Sequence, residues 1–578
     1  MSIEVTVAVI VAVLVIVFAN SLSSRIGVAG PLILVAIGVA VSLIPAVSAV
    51  SVQPELILMG VLPPLLFSAA VSAPAIELRR DFSAIGGLSV LLVIVSALVL
   101  GLFFFLVIPD LGFPLAVALG AILSPTDAVA TSIVRRLGVP RRVVTVLEGE
   151  ALVNDATALV LLRTAIVAAA SGFSFLTTLG SFAWAVLSAV VVGAVAGVIA
   201  LRLRAWTTSA TANTALGLTV PYIAYLPTEA LGGSGLVAAV VAGVVCGQGA
   251  VRWLTPEQRI SDKLNWRTIE FLLEGAVFLI MGLELWGIVE SNLAADEGLL
   301  KGIGIAAAAF VILVAVRAAY VFPMLTVHAS RVQKLVRGRL STDAEFVARA
   351  ADGDPPSRLP VLEAIPGASP VARTRRRRRR LGRMRADIDY FDASPLTWKH
   401  NTVIVWAGMR GAVTLAAAQT LPSDTPERDL LVFIAFLVAA GSLLIQGLTL
   451  PLLANLLGLR RSGAAGPPRE EIRAIDADLR GAAEKAAESG TLRRADHRPF
   501  SDEILALPPS RFAAPLDPTD GLDAPEALEF ELALVAVMRR RLHELGRSGR
   551  HSTSALRYVL DELDAYEISV KLHLESER

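Results

Sequence analysis

Long apolar segments alternate with short polar loops over the first 460 residues of the chain. A helix needs about 20 mainly apolar residues to cross the hydrocarbon core of a bilayer. About thirteen segments meet this requirement, and each predicts a spanning helix. They lie near residues 4–20, 29–47, 54–73, 84–108, 112–134, 143–170, 177–201, 210–228, 233–250, 267–289, 300–325, 399–421 and 429–457.

The composition supports a membrane protein. Hydrophobic residues make up 54% of the 578-residue chain and charged residues only 18%, whereas soluble domains carry about 25% charged residues. These values exclude a disordered chain, a fibrous protein and an ordinary cytosolic enzyme. The single cysteine, Cys246, excludes a disulfide scaffold. We therefore expect an all-α polytopic membrane protein.

Basic residues accumulate in alternate loops. Cytoplasmic loops of membrane proteins are enriched in Lys and Arg. The basic loops carry Arg25, Arg79, Arg80, Arg135, Arg136, Arg141, Arg142, Arg202, Arg204, Arg252, Arg259, Lys263 and Arg267, and the intervening loops carry Asp110, Glu229, Glu290, Asp296 and Glu297. The alternation predicts thirteen spans, with the N-terminus outside and the C-terminus in the cytoplasm. We expect the protein in the cell (plasma) membrane. The first span lacks the basic start of a cleavable signal peptide.

Two hydrophilic blocks complete the predicted organisation. Residues 1–460 form the transmembrane domain, interrupted by a basic cytoplasmic loop at 327–397 between spans eleven and twelve. The run Arg375–Arg380 in this loop has no interleaved aromatic residues for base stacking, so it indicates contact with lipid headgroups or a topology signal rather than nucleic-acid binding. Residues 461–578 form a soluble tail whose helical patterns predict a small helical domain or a dimerising arm.

Ionisable residues within the apolar spans are few. Each costs several kcal/mol to insert, and such residues mark ion pathways or buried pairs. They are Asp127, Glu148, Glu150, Asp155, Arg163, Glu274, Glu284, Arg317 and Arg410. We expect the candidate chemistry among them.

The first cluster is Ser124-Pro125-Thr126-Asp127, in the middle of the fifth span. Pro125 has no backbone N–H and disfavours helical geometry in the residue before it, so nearby carbonyls are free to face a cation. Ion-coupled transporters use helices broken in this way. The alternative is a proline kink satisfied by the Ser and Thr hydroxyls, but that leaves Asp127 unexplained.

The second cluster runs from Glu148 to Asp155 in the sixth span. Helical periodicity places Glu148 on the face of Asp155, and Glu150 one turn before Asn154. Carboxylate and amide oxygens are ligands for hard cations, and a carboxylate removed from water favours a partner that cancels its charge. One oxygen site can therefore hold either a proton or an alkali cation.

A set of structural ion pairs is the alternative for these acids. Arg410 in the twelfth span is a candidate partner for one acid of the second cluster, and the spacing leaves open which one. Glu274 and Arg317 could likewise pair with each other. The small residues Gly235, Ala239, Gly243 and Gly247 recur every four positions in the ninth span and indicate helix packing.

At these residues the sequence resembles the monovalent cation/proton antiporters of the NhaP and sodium/hydrogen exchanger type. The resemblance covers essentially residues 1–460, and the tail from about residue 528 is also similar to that of bacterial members. The matching strings are residues 62–67 (LPPLLF), 124–130 (SPTDAVA), 148–159 (EGEALVNDATAL), 278–283 (FLIMGL) and 406–415 (WAGMRGAVTL).

The resemblance implies a fold and a set of roles. The fold would be two inverted repeats with discontinuous crossing helices, forming a core domain and a dimerisation domain of a homodimer, with spans five, six and twelve in the core. Asp155 would carry the cation (Na⁺) and the proton. Thr126 would supply a backbone ligand to the ion, beside Asp127 and the neutral Asn154, while Glu150 would pair with Arg410.

The activity implied is secondary exchange of Na⁺, or Li⁺, for H⁺, electroneutral and one for one, without a cofactor, for pH and sodium homeostasis. Two positions depart from the family pattern: Ala151 stands where many members have Ser, and Ser68 where an acid is common. Because Ala151 lacks the hydroxyl that a Ser would supply, K⁺/H⁺ exchange remains an alternative to Na⁺/H⁺ exchange. Further alternatives are a channel or sensor and a membrane hydrolase with two aspartates. No P-loop string that would drive a pump occurs, and the six histidines indicate no metal site.

Overall fold

The computed structural model describes residues 3–44, 53–127, 129–171, 175–294, 298–351, 387, 390–391, 395–422, 424–459, 467–494, 496–505 and 524–577. Every regular element in these ranges is helical. This confirms the all-α fold class.

The membrane part is a succession of helices, most of which contain long apolar stretches. In chain order they are α1 (Ile3–Ile26), α2 (Gly30–Ser42), α3 (Leu62–Ser72), α4 (Ala75–Arg80), α5 (Phe82–Gly86), α6 (Leu92–Val107), α7 (Phe113–Leu123), α8 (Val129–Arg136), α9 (Arg141–Ser171), α10 (Phe175–Trp206), α11 (Ala210–Ala230), α12 (Gly235–Trp253), α13 (Pro256–Leu283), α14 (Leu285–Ala294), α15 (Leu299–Ala351), α16 (Trp398–Trp406), α17 (Ala412–Gln419) and α18 (Arg428–Leu456). The π-helical segments Leu56–Val61 and Gly87–Leu91 lead into α3 and α6.

Each predicted span coincides with helix in the described residues, although three of them are split, and the tenth is divided at residue 284 into α13 and α14. The fifth predicted span is the broken pair α7 and α8, and the twelfth is the broken pair α16 and α17. By length and composition, eight helices in the described part are able to cross a membrane, and three shorter apolar helices accompany them. The chain is therefore a multi-pass membrane protein, and the count of thirteen spans stays a prediction.

The membrane helices pack mainly within two groups. The outer group comprises α1–α3 and α10–α13, whereas the core group comprises α5–α9 and α15–α18. The core group contains both broken helices. Short α4 lies between the groups, immediately after α3 and next to the start of α9.

Glycines set the closest approaches between helices. A Cβ built on Gly243 of α12 would lie 2.7 Å from the carbonyl oxygen of Phe67 in α3, and one on Gly38 of α2 would lie 2.8 Å from the Cα of Gly282 in α13. Small residues let helix backbones approach in this way. The predicted packing role of the small-residue stripe in α12 is thus confirmed at Gly243.

Helix α15 is much longer than a membrane span. Its 53 residues run from Leu299 to Ala351, so it enters the region predicted as a cytoplasmic loop at 327–397. Only Leu299–Val327 has the composition of a span. The run Arg375–Arg380 lies outside the described residues, and the roles predicted for it stay predictions.

The tail contains four described helices with an apolar core of their own. They are α19 (Arg469–Glu488), α20 (Asp502–Leu505), α21 (Ala524–Ser548) and α22 (Thr553–Glu577). Leu479, Phe530, Leu534 and Leu563 are among the buried residues that join them. The alternation of apolar and charged positions therefore produces a packed helical unit, and the division of domains at residues 460–461 stays a prediction.

Gly120 tests the close packing of the core group. A Cβ at Gly120 of α7 would lie 3.0 Å from the backbone nitrogen of Gly101 in α6, whereas a Cβ at Gly304 of α15 would meet nothing within 4 Å. We expect Gly120→Ala to lower stability by about 1–3 kcal/mol through overpacking, and Gly304→Ala to preserve or raise it because Ala favours helix.

The measurement is the thermal stability of both variants in detergent. Unfolding is detected by the loss of the monodisperse peak in size-exclusion chromatography after heating. Equal melting temperatures for the two variants would contradict the close packing of α6 and α7.

Candidate functional site

The two broken helices meet at their breaks. Between α7 and α8 the chain is non-helical at Pro125, Thr126 and Asp127, and between α16 and α17 it is non-helical around Gly408–Gly411. The backbone N–H of Asp127 donates to the carbonyl of Met409 at 2.7 Å. Each break therefore supplies a hydrogen-bond partner for the backbone of the other, as the water-free interior of a membrane requires.

Buried donors satisfy the carbonyls that the breaks set free. Ser124 Oγ donates to Gly120 O at 2.7 Å. Arg410 Nε donates to Leu123 O, the end of α7, at 2.9 Å, and the same guanidinium donates to Gly408 O. Arg317 from α15 donates to Ile404 O in α16 at 3.0 and 3.1 Å. The two arginines thus lie at helix C-termini, where the helix dipole favours positive charge.

Asp127 lies at two helix N-termini. Its Oδ1 accepts a hydrogen bond from the backbone N–H of Val129, the first residue of α8, at 2.8 Å, in the manner of an N-cap. Gly411, the N-cap of α17, approaches so closely that a Cβ on it would lie 2.9 Å from the Cβ of Asp127. Positive helix ends stabilise a carboxylate, and this explains an acid here that a proline kink alone does not.

A buried polar chain runs from α15 through α9 to the break. Arg317 forms an ion pair with Glu150, with an Nη2 to Oε2 distance of 2.8 Å. Glu150 Oε1 accepts from Thr126 Oγ1 at 3.1 Å. Asn154 Nδ2 donates to the carbonyl and the hydroxyl oxygen of Thr126 at 2.9 and 2.8 Å. Each of these side chains is buried, so this series of hydrogen bonds fixes Thr126 against α9.

The prediction that Glu150 pairs with Arg410 was wrong. Glu150 pairs with Arg317, and Arg410 bonds to backbone carbonyls instead. The alternative pairing of Arg317 with Glu274 was wrong for the same reason. The guanidinium of Arg410 is occupied by the backbone carbonyls of the broken helices, whereas Arg317 projects from α15 next to Glu150. The signal available in the sequence was that Arg317 is the only charged residue inside its span, since Lys301 lies at the start of that span.

Asp155 differs from the other predicted site residues. Its backbone N–H donates to Asn154 Oδ1 at 2.7 Å. Within the described ranges, its carboxylate makes no hydrogen bond or ion pair, and the residue is only half-buried. The negative charge of Asp127 acts on it. The structure therefore places an unpaired carboxylate beside the break, with Thr126 held next to it by Asn154.

Two further acids of the predicted spans lie outside the hydrogen-bonded series of Arg317, Glu150, Thr126 and Asn154. Glu148 pairs with Arg135 near the start of α9, and Glu274 of α13 is half-buried within the electrostatic reach of Asp127, Glu270 and Arg136. In the part of the chain that the structure describes, no group of three His, Cys, Asp or Glu side chains is arranged to hold a metal ion. A site built on Asp155 would rely on one carboxylate together with backbone, amide and water oxygens.

Comparison with known proteins assigns this architecture to a family of transporters. The family model for the transmembrane part of sodium/hydrogen exchangers matches residues 9–351 and 380–456. An uncharacterised Na⁺/H⁺ exchanger of Mycobacterium bovis is 28% identical over 456 residues, which cover 77% of this chain and 73% of the relative. A sodium, potassium, lithium and rubidium/H⁺ antiporter of Bacillus pumilus is 28% identical over 440 residues, covering 74% and 57%.

A solved structure shares the fold. The sodium/proton antiporter of Methanocaldococcus jannaschii at pH 8 superposes with a TM-score of 0.54 at 15% identity, covering 79% of this chain and 100% of that chain. At this identity the match is evidence for the fold alone. It supports the predicted antiporter architecture of discontinuous crossing helices.

The pair of Glu150 and Arg317 gives a test of the site's framework. Removing one partner of a buried ion pair leaves an uncompensated charge and costs about 3–5 kcal/mol. We expect Glu150→Leu or Arg317→Leu to destabilise the protein by this amount, and the double variant to recover much of the loss. The measurement is thermal unfolding in detergent.

The control is the exposed pair of Lys301 and Glu427, 2.9 Å apart, whose single substitutions should cost less than about 1 kcal/mol. Strictly additive losses in the double variant of Glu150 and Arg317 would contradict the pairing.

Proposed function

Because this chain belongs to the sodium/hydrogen exchanger family, we propose that it is a secondary transporter that exchanges Na⁺ for H⁺ across the membrane by alternating access. The observation that carries the proposal is the unpaired Asp155 carboxylate beside two crossing, broken helices. Ion-coupled transporters place their ion sites where helices are interrupted.

Asp155 is the proposed carrier of both substrates. A proton neutralises its charge by forming a bond to one carboxylate oxygen, and Na⁺ neutralises it as a hard cation bound by oxygen. Thr126 is the proposed backbone ligand, because its carbonyl lies against Asn154 and keeps a second lone pair. Asp127 would add negative charge near the ion while it caps α8. Cation and proton then compete for one site.

Charge balance favours exchange of one cation for one proton. Asn154 is neutral and its amide group is occupied by Thr126, while Glu150 is paired with Arg317. Among the three described residues Glu150, Asn154 and Asp155, Asp155 is the one left to change its partner, so one Na⁺ would replace one H⁺ and the cycle would move no net charge. Na⁺ and H⁺ are the substrates, and the proposed exchange needs no cofactor.

Movement of the core group against the outer group would carry Asp155 from one side to the other. The division of contacts into these two groups supports this step. The outer group exposes apolar side chains of α10, such as Leu187 and Val191, which require lipid or a second copy of the chain. We propose that this group forms the interface of a homodimer.

The proposed location is the plasma membrane, with the N-terminus outside and the C-terminus in the cytoplasm. Basic residues are concentrated in every second loop, and such enrichment in Lys and Arg is typical of the cytoplasmic side. Tail residues contact three of these loops, through Arg80, Arg141 and Arg259, so the tail lies on the same side as the basic loops. The proposed roles are pH and sodium homeostasis.

K⁺/H⁺ exchange is the second candidate. Ala151 stands one helical turn before Asp155 and supplies no hydroxyl, so a site with one side-chain oxygen fewer favours a larger ion. The Bacillus pumilus relative is described as an antiporter of sodium, potassium, lithium and rubidium. Selectivity is therefore the quantity that separates the two candidates.

Asp155→Asn should abolish exchange, because an amide neither binds a proton nor balances a cation. The protein should still fold, since the carboxylate makes no hydrogen bond within the described residues. The measurement is proton flux in proteoliposomes that contain a pH-sensitive dye, with Na⁺, Li⁺ or K⁺ added in turn and the membrane potential clamped.

Glu148→Gln, on the same helix but paired with Arg135, is the matched control and should retain exchange. Cation-dependent proton flux in correctly inserted Asp155→Asn protein would overturn the assignment of the carrier.

Ala151→Ser should shift preference from K⁺ towards Na⁺, because the added hydroxyl supplies an oxygen on the face of Asp155. We expect the ratio of apparent affinities for Na⁺ and K⁺ to rise by about tenfold, equivalent to roughly 1.4 kcal/mol. Titration of both cations in the same flux assay gives the ratio. An unchanged ratio would mean that position 151 does not face the ion.

A further inference from the structure

The end of the tail forms a helical hairpin, here called the tail hairpin, from α21 (Ala524–Ser548) and α22 (Thr553–Glu577). Apolar residues along both helices are buried between them and α19. The hairpin is thus held together by its own apolar core. Its polar surface makes many bonds to the membrane helices, among them three from Arg557 to the carbonyls at the end of α3 and two further sets.

The first set joins α22 to the start of α13 in the outer group. Arg259 Nε donates to Asp564 Oδ2 at 2.8 Å, and both side chains are largely buried. Lys263 pairs with Asp561 at 2.5 Å, and Lys571 of the tail pairs with Glu257 at 3.0 Å. These three pairs lie on the first turns of one membrane helix, so this face of α22 is anchored to the outer group.

The second set joins the turn of the hairpin to α4 and the core group. The backbone N–H of Thr553 donates to Glu77 Oε1 at 2.8 Å, and its hydroxyl donates to the same carboxylate. Arg80 donates to the carbonyl of Gly549 at 2.5 Å. Arg141, the first residue of α9, donates to Ser554 Oγ. Charged groups take part in all these bonds, which strengthens them.

Buried contacts fix α4 to the core group. Asp81, directly after α4, forms a buried ion pair with Arg142 of α9 at 2.9 Å. Tyr390 donates to Asp81 at 3.0 Å, and burial together with the charge of Asp81 raises the pKa of its phenol, so it remains a donor. Arg80 also pairs with Asp387 at 2.7 Å. A load on α4 is therefore transmitted to α9, the helix of Asp155.

We propose that the tail hairpin is a releasable clamp between the outer and core groups, anchored on α13 and holding α4 and α9 through its turn. The inference rests on the proposed function, because alternating access requires the two groups to move against each other. A hairpin bonded to both groups opposes that movement. The turn must release Glu77, Arg80 and Arg141 in each cycle, while α22 stays on α13.

Reversible cross-linking tests which contacts must open. The native cysteine, Cys246, is buried, so a thiol reagent addresses introduced cysteines. The bridging variant is Arg141→Cys with Ser554→Cys, and the matched control is Lys263→Cys with Asp561→Cys. Full-length protein in proteoliposomes is treated with a short bifunctional methanethiosulfonate, assayed for Na⁺-dependent proton flux, reduced and assayed again.

We expect the 141–554 link to stop exchange and reductant to restore it, while the 263–561 link leaves the rate within about twofold of the unlinked form. Exchange at the unlinked rate through a complete 141–554 link would overturn the clamp. Loss of exchange with the 263–561 link as well would also overturn it, because the anchor would then have to open too. Exchange by the unlinked variants reports the proposed function separately.

A release variant gives an independent test that needs no reagent. Glu77→Gln with Arg141→Gln weakens the turn contacts and leaves the α13 anchor intact. We expect the exchange rate to rise by about fivefold or more, the size of a typical coupling between two sites. Lys263→Gln is the control and should leave the rate unchanged. A release variant that inserts correctly and exchanges no faster than the parent would contradict the proposal.

Discussion

The absence of water inside a bilayer is the constraint on which this structure depends. A helix that breaks there exposes peptide groups that lipid cannot satisfy. Two helices break, and each provides partners for the other: Asp127 N–H meets Met409 O, and Arg410 reaches Leu123 O. The glycines at 408 and 411 admit this approach because any side chain there would overlap Arg317 or Asp127. The proposed ion site is a product of the crossing.

Charge at the crossing is balanced without Asp155. Arg317 is matched by Glu150, and Arg410 and Asp127 occupy helix ends of opposite polarity. With these four groups charged, the assembly is neutral, so Asp155 contributes a single excess negative charge. The lowest free energy is reached when a proton or one monovalent cation accompanies it. In the proposed exchange, a neutral framework with one uncompensated acid would favour movement of the core group when Asp155 is loaded, and movement with Asp155 empty would cost more free energy.

The sequence predicted most of the elements, because apolar runs and the positive loops report directly on spans. It also identified the residues of the crossing, since Pro125 and the intramembrane acids stand out in apolar surroundings. It did not predict the partner of Glu150, because pairing across 167 positions depends on which helices become neighbours. The contacts of the tail were missed for another reason: Asp561 and Asp564 look like ordinary charges on a solvated helix until α13 is packed against them.

Helix α15 joins the crossing to the space outside the bilayer. It is continuous over 53 residues, and at 1.5 Å per residue it is about 80 Å long. Arg317 fixes it to α9 and α16 near its middle, while the stretch from residue 328 to Ala351 extends for roughly 36 Å beyond the apolar span. Such a rod is a lever arm: Ala351 lies about 51 Å along the helix from Arg317, so a tilt of about 10° at the crossing displaces its tip by roughly 9 Å. A spectroscopic reporter at the tip would amplify rearrangements too small to follow at the crossing itself.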